Sequence, residues 1–314
     1  MSGRRLRKGV GVVALAALAA GCPLPPSERP CEGPPGPAPT VGEAGHALRF
    51  CGTGRDDVDR VKIVIDDPRT GEPGPAVDIG ATDFTLEWWM KAALADNPSE
   101  AVTCGENLNW INGNIIFDRD RYGQGRKLGV SMAGGHIVFG VTDATDRHLT
   151  ICSTTSVADG AWHHVSVQRR RADGRMSLFV DGRLEAREIG PPGDVSYPDD
   201  GVPMDFCGGL CLNSDPYLVI GAEKHDAGIV FPSYRGWLDE VRVSTTLRYE
   251  DDFARPTGPF TPDEATAALW HFDDGAGHVL TDSSGRGAHG LVHIGGLHGA
   301  PHWEVSDAPL GSRP

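Results

Sequence analysis

Cysteine is the residue type with the clearest chemical spacing in this 314-residue chain. Cys22 ends an apolar N-terminal run, and six further cysteines follow it. An even number of cysteines in an oxidising compartment indicates disulfide bonds. Each expected pair closes a local or strand-adjacent loop: Cys31–Cys51, Cys104–Cys152 and Cys207–Cys211. Other connectivities of these six residues stay open at the level of sequence.

Carboxylates would be the catalytic groups of a glycoside hydrolase, which needs two of them on one side of a cleft. The nearest acidic cluster, residues 250–252, lies in a predicted loop, and Asp239 and Glu240 alternate across a predicted strand. Neither pattern places two acids side by side on one face. Whether the chain is an enzyme therefore stays open, with a non-enzymatic role favoured.

Metal-binding patterns are equally sparse. Cys207 and Cys211 form a single C-x3-C pair without the second matched pair that a zinc site needs. Six histidines crowd residues 271–302 at irregular spacing, which favours turn and surface positions over a cluster of ligands. We therefore predict no zinc site.

The segment before Cys22 predicts export from the cytoplasm. Four basic residues near the start precede an apolar run over residues 10–20, which is short for a membrane span. The run closes on Ala19-Ala20-Gly21-Cys22 and resembles the lipobox of bacterial lipoproteins, whose cysteine is acylated and becomes the mature N-terminus. The resemblance implies a signal peptide over residues 1–21 and a lipid anchor on Cys22. An ordinary secreted signal peptide is the alternative.

The residue after the cysteine bears on localisation. Position 23 is Pro and not Asp, so by the same resemblance the inner-membrane retention signal is absent. We expect a protein of the cell envelope that is lipid-anchored in the outer membrane. Its contact with the membrane would run through the lipid anchor.

The composition is acidic and rich in turn residues. The 43 acidic and 29 basic residues give a formal charge of −14, which becomes −18 when a signal peptide carrying four basic residues is removed. Such a surface repels nucleic acid, so no nucleic-acid partner is expected. The 42 glycines and 24 prolines are typical of a chain with many turns.

The chain divides into a tether and one large domain. Residues 22–40 are dominated by Pro and contain almost no large apolar side chain, so they predict an extended tether. Residues 41–314 carry short runs rich in β-branched and aromatic residues, separated by turn residues. We assign them to one domain, in which residues 267–314 are expected to close the same sandwich.

Period-2 alternation predicts strands with one face in a core. Leu86, Trp88 and Met90 alternate with Glu87, Trp89 and Lys91, and no window beyond the signal peptide shows a helical stripe. Strands are predicted at 47–51, 58–65, 84–91, 114–117, 127–132, 136–142, 149–154, 162–169, 176–180, 217–221 and 237–244. More than ten strands with few helices favour an all-β, two-sheet antiparallel sandwich of jelly-roll type.

Three segments carry a family resemblance beyond this periodicity. Asp159-Gly-Ala-Trp-His-His-Val165, followed by Leu178-Phe-Val-Asp-Gly182, resembles the signature hairpin of laminin-G-like jelly-roll domains. Gly236-Trp-Leu-Asp-Glu-Val-Arg-Val243 is similar to the late strand of that family. The stretches at 47–52 and 84–89 are similar to its early strands. The resemblance implies a concanavalin A-like lectin/glucanase fold.

The resemblance also implies ligands. Relatives of this fold bind mainly glycans or proteins, so a glycan or an extracellular or envelope protein is the expected partner. The loop at 194–216 is the expected source of specificity, and Tyr197, Phe206 and Tyr217 are the candidate residues for stacking on a sugar. Jelly rolls of this kind often hold a structural Ca²⁺ through loop carboxylates. The candidate calcium ligands are Asp56, Asp57 and Asp239.

Three functions are compatible with these features. The first is a surface-anchored lipoprotein that displays a non-enzymatic, lectin-like module for carbohydrate or protein binding. The second is a carbohydrate-active enzyme of the same fold, a glycoside hydrolase or lyase, which would require two acids that converge in one groove. The third is a purely structural lipoprotein of the envelope. The fold does not choose among them.

Overall fold

The computed structural model describes residues 45–51, 59–67, 70–121, 123–200, 216–225, 227–294 and 302–311. These residues form sixteen β-strands and two short 3-10 helices, Leu94–Asp96 and Asn109–Asn112. Within these ranges there is no helix long and apolar enough to cross a membrane.

The first sheet, sheet A, contains eight strands. Its order is β10-β9-β8-β3-β12-β1-β16, and β13 pairs with the remaining length of β12. The strands are β1 (His46–Phe50), β3 (Phe84–Ala93), β8 (Asp159–Arg169), β9 (Arg175–Val180), β10 (Arg183–Ile189), β12 (Gly236–Ser244), β13 (Thr266–Trp270) and β16 (His302–Val305). All the pairings in this sheet are antiparallel.

The second sheet, sheet B, also contains eight antiparallel strands. Its order is β14-β15-β2-β11-β4-β5-β6-β7. The strands are β2 (Arg60–Val64), β4 (Asn114–Arg119), β5 (Lys127–Ala133), β6 (His136–Thr142), β7 (His148–Ser156), β11 (Tyr217–Ile220), β14 (Val279–Leu280) and β15 (Gly290–His293).

The two sheets pack face to face over one large hydrophobic core. Trp88 of sheet A contacts Phe117 of sheet B with ring centres 4.8 Å apart, and Phe84 meets Phe139 at 6.3 Å. These are the edge-to-face distances that aromatic pairs prefer. The prediction of an all-β, two-sheet antiparallel sandwich is confirmed, because alternate strand residues fill the space between the sheets.

Strands from the C-terminal quarter of the chain are distributed between both sheets. β13 pairs with β12 and β16 pairs with β1 in sheet A. β15 pairs with β2 in sheet B, with His293 opposite Arg60. The first and the last strands of the described part of the chain are therefore neighbours in the fold.

One disulfide holds the segment that contains Trp110 against the outer face of sheet B. Cys104 and Cys152 form the expected pair, with Cα atoms 6.0 Å apart. Beside it Trp110 is 1% exposed and lies over Gly129 and Gly140, the close approach that only glycine allows at these two positions.

The other expected disulfides are only partly described. Cys51 is also disulfide-bonded. Its expected partner Cys31, the pair Cys207–Cys211 and the expected lipid-bearing Cys22 lie outside the described residues.

Candidate functional site

The candidate site is a pocket on the outer face of sheet B. Alternation along β2 sends Val61 and Ile63 into the core, so Arg60, Lys62 and Val64 point outward. The same alternation directs Tyr217 of β11 and Leu291 of β15 away from the core. These outward side chains line a pocket of about 650 Å³, here called the basic pocket: Arg60, Lys62, Val64, Tyr217, Val279, His289, Gly290, Leu291 and His293.

Strand register determines which side chains meet in the basic pocket. His293 lies directly opposite Arg60, and Leu291 lies opposite Lys62. Tyr217 lies opposite Val64 on the other side of β2. Directly opposite residues have Cβ atoms about 5 Å apart, so the basic and apolar side chains form one continuous surface.

Positive charge dominates this pocket. Burial, together with the charges of Arg60 and Lys224, lowers the pKa of Lys62 to about 8. Burial, together with the charges of Lys62, Arg60 and His278, also lowers the pKa of His293. No Asp or Glu is found among the described residues that line the pocket. Burial lowers the pKa of Arg60, and the charge of Glu223 partly opposes this shift.

The aromatic residues predicted for sugar stacking are separated by the fold. Tyr217 is half-buried in the basic pocket, with its ring centre 5.3 Å from the Lys62 ammonium. Tyr197 is 2% exposed and packs in the main core, where its backbone N–H donates to Asp78. The expectation for Tyr197 is therefore wrong, because its ring has no face open to a ligand. Phe206 lies outside the described residues.

Of the three predicted calcium ligands, only Asp239 lies among the described residues. Asp239 is fully buried in β12, where its carboxylate accepts a hydrogen bond from the Ser306 hydroxyl at 2.5 Å. It is thus a buried hydrogen-bond acceptor on sheet A and does not fit the role of an accessible loop ligand. The adjacent Glu240 is also buried and accepts from the Phe260 N–H. Asp56 and Asp57 lie outside the described residues.

A different group has the composition of a metal site. Atoms of Asp120, Glu223 and His225 lie within 4.8 Å of one another, and all three residues are buried. The Lys127 ammonium lies 2.9 Å from Asp120 and already supplies positive charge there. Burial and the charges of Glu223 and Asp120 raise the pKa of the neighbouring Asp118 to about 8. The group therefore joins β4 to the segment after β11 through charge pairs.

The acidic cluster at 250–252 attaches a loop to sheet A. Glu250 pairs with Arg175 at 2.7 Å, and Asp252 accepts from the Leu184 N–H at 2.8 Å. Asp120 and Glu223, which do lie close together, are 5% and 3% exposed. A polymeric substrate could not reach them in this arrangement, so they do not form a hydrolase groove.

A family profile described as the concanavalin A-like lectin/glucanases superfamily matches residues 72–252, more than half of the chain. The chain belongs to this superfamily. The laminin-G-like resemblance read from the hairpin and the late strand is therefore confirmed. A comparison with curated proteins gives no match.

Three solved structures resemble this fold to different degrees. A Bacteroides ovatus protein, provisionally described as carbohydrate binding, has a TM-score of 0.54 and 16% identity over 86% of this chain; the chain spans 62% of that protein. A heptameric pentraxin from Limulus polyphemus has a TM-score of 0.45 and 13% identity, over 83% of this chain and 100% of its own length. Domains LG4-5 of the mouse laminin alpha1 chain have a TM-score of 0.39 and 11% identity, over 77% of this chain and 50% of their own length.

The basic side chains of the pocket were missed at the level of sequence. Arg60 and Lys62 fall inside a correctly predicted strand, where outward polar residues are ordinary. Their partner His293 is more than 230 positions away in the chain, and only the β15–β2 pairing brings it close. The available signal was that two of the three outward positions in this strand are basic, in a chain with an excess of acids.

Proposed function

We propose that this protein is a surface-anchored, non-enzymatic module of the concanavalin A-like superfamily that binds carbohydrate through the basic pocket. The observation that carries the proposal is the half-buried Tyr217 ring inside a pocket that also holds Lys62, Arg60 and exposed aliphatic side chains. A sugar ring offers an apolar face to an aromatic side chain and hydroxyl groups to hydrogen-bond donors. The volume of about 650 Å³ lies in the range of small-ligand sites.

Two further findings support a lectin-like role. The superfamily assignment covers the central strands of both sheets. The Bacteroides ovatus protein with the same fold is provisionally described as carbohydrate binding. The buried position of Asp120 and Glu223 argues against the alternative of a hydrolase that uses these acids.

The experiment is a broad glycan array probed with the detergent-solubilised full chain. The expected result is binding of a defined glycan set, at least fivefold weaker for Tyr217→Ala. A matched control is Tyr249→Ala, whose ring stacks on Phe253 at 3.5 Å on the outer side of sheet A. Loss of binding in both variants, or binding unaffected by Tyr217→Ala, would contradict the proposed site.

A protein ligand is the second candidate because of one exposed apolar feature. Ile229 and Val230 are 92% and 73% exposed in the segment after β11. Adjacent exposed aliphatic residues of this kind are typical of contact surfaces. If an envelope protein is the partner, Ile229→Ser should weaken that interaction without affecting glycan binding.

We also propose a lipid anchor on Cys22, with outer-membrane localisation and the residues after it as a tether. Calcium remains part of the proposal, with Asp56 and Asp57 as its candidate ligands. Running the glycan array with calcium and again with a chelator tests it, since a calcium-dependent site would lose binding in chelator.

A further inference from the structure

The basic pocket combines features that a neutral sugar does not require. Arg60 and Lys62 point outward two residues apart on β2, about 7 Å along the strand. His293 lies directly opposite Arg60, so three basic side chains share one face. Arg60 carries a permanent positive charge, and His293, whose pKa burial lowers, is a neutral hydrogen-bonding group directly beside it.

The surroundings strengthen this positive field. Lys62 is only 8% exposed, and Arg60 and Lys224 are the charges that most affect it. Electrostatic interactions at partly buried positions are screened less than those at an open surface. The Arg60 guanidinium donates from Nη1 to the Lys224 carbonyl at 3.3 Å, and its other N–H groups are donors suited to a carboxylate or sulfate.

The acidity of the chain as a whole limits the attraction of anions to the basic pocket. With a formal charge of −14, most of the surface repels anions. A polyanion would therefore be held at the basic pocket and not along the surface in general. The Tyr217 ring and the exposed Leu291 side chain, 49% accessible, add contacts that suit the carbon face of a sugar.

We infer that the ligand of the basic pocket is an acidic glycan, whose carboxylate or sulfate groups contact Arg60 and Lys62 while a pyranose ring packs on Tyr217. This inference rests on the proposed carbohydrate-binding function and names its ligand class. Arg60 and Lys62 provide the charge selectivity, and Tyr217 provides the sugar contact. His293 adds a donor beside Arg60.

The test uses the detergent-solubilised full chain and two matched pairs of polymers. Polygalacturonate is compared with its methyl ester, and dextran sulfate with dextran, so that carboxylate and sulfate recognition are separated. Binding is measured by calorimetry at low and moderate salt. The expected result is at least tenfold tighter binding of one acidic polymer than of its neutral partner, with affinity decreasing as salt increases.

Variants then test which residues are responsible for the preference for acidic polymers. Lys62→Gln and Arg60→Gln should each reduce affinity for the acidic polymer by at least fivefold. Arg183→Gln removes the same charge from an exposed position on β10 of sheet A and should change affinity less than twofold. Circular dichroism and thermal unfolding of each variant confirm that the fold is retained.

Each outcome has a distinct meaning. Equal binding of the neutral and acidic polymers would overturn the acidic-glycan inference and leave carbohydrate binding standing. Absence of binding to every polymer and to the glycan array would overturn both. Equal binding of polyaspartate would overturn the inference by showing that the pocket recognises charge without sugar. A similar loss in Arg183→Gln and Lys62→Gln would overturn the assignment to this pocket.

Discussion

Tyr217 is the residue on which sugar contact depends. Its ring is half-buried beside the Lys62 ammonium, so one face of the ring is already engaged by a cation. We expect Tyr217→Ala to weaken glycan binding about five- to tenfold, or about 1–1.4 kcal/mol, which lies within the about 0.5–1.5 kcal/mol that aromatic contacts contribute beyond buried area. Tyr217→Phe should retain most of the affinity because it keeps the ring. Calorimetric titration checks both, and equal losses would indicate that the hydroxyl is the important group.

Lys62 should make binding of an acidic glycan depend on pH. Its pKa is about 8, lowered by burial and by the charges of Arg60 and Lys224. Lys62 is therefore protonated below pH 8 and loses its charge as the pH increases through that value. We expect affinity to decrease several-fold between pH 7 and pH 9.5, whereas Arg60 stays charged throughout.

The charge-preserving variant makes this prediction specific to Lys62. Lys62→Arg keeps a charge that does not titrate in this range, so its affinity should be nearly independent of pH between 7 and 9.5. His293, with its lowered pKa, is neutral across the window and contributes no change. Titration calorimetry of both proteins measures affinity against pH. If Lys62→Arg lost affinity with increasing pH as the wild-type protein does, the pH dependence would belong to another group.

At the scale of elements, the Cys104–Cys152 disulfide holds the segment that covers β5 and β6. It joins residues 48 positions apart, and closing a loop of that length in the unfolded chain corresponds to about 4 kcal/mol. The double variant Cys104→Ser/Cys152→Ser should lower the free energy of unfolding by up to that amount, as measured in urea. Glycan binding at 10 °C should persist, because neither cysteine lines the basic pocket. Unchanged stability would show that Trp110 alone secures the segment.

The packing of Trp110 over sheet B gives a second element-scale prediction. A Cβ added at Gly140 would lie 2.0 Å from Trp110 Cδ1, far closer than atoms can approach. We expect Gly140→Ala to destabilise the protein by about 1–3 kcal/mol through overpacking. In a Trp110→Ala background the same change should cost much less, because the clash is gone. A double-mutant cycle from urea denaturation measures the difference, and additive effects would contradict the clash.

Predictability from sequence also differed among elements. The strands with strong alternation, such as β3 and β12, were predicted nearly to their ends because one face of each fills the core. β10 was missed: its residues, Arg183–Ile189, are rich in Glu, Arg and Ala, which favour other structures. Its strand conformation follows from the Asp181–Gly182 turn, where both residues have positive φ and the chain reverses onto β9.

The candidate site was less predictable than the fold because it depends on pairings between distant parts of the chain. Tyr217 could be proposed from its residue type and its position beside a glycine- and proline-rich loop. Arg60 and Lys62 become pocket residues only because β2 lies between β11 and β15. Local pattern also placed Tyr197 in a binding loop, whereas packing buries it against the core. Periodicity identifies the face of a strand but not its neighbours.

For the whole molecule, the last prediction concerns attachment to the membrane. The apolar run and Ala19-Ala20-Gly21-Cys22 resemble a lipobox, and the Pro-rich residues that follow would place the sandwich away from the bilayer. An acidic domain is repelled by an anionic lipid surface, so attachment should depend on the acyl chains and not on charge. We expect metabolically supplied palmitate to label the wild-type chain and not Cys22→Ala. Cys31→Ala should keep the label because it retains the acylated position. Labelling of Cys22→Ala, or membrane release of the wild-type chain by high salt alone, would contradict a lipid anchor at this residue.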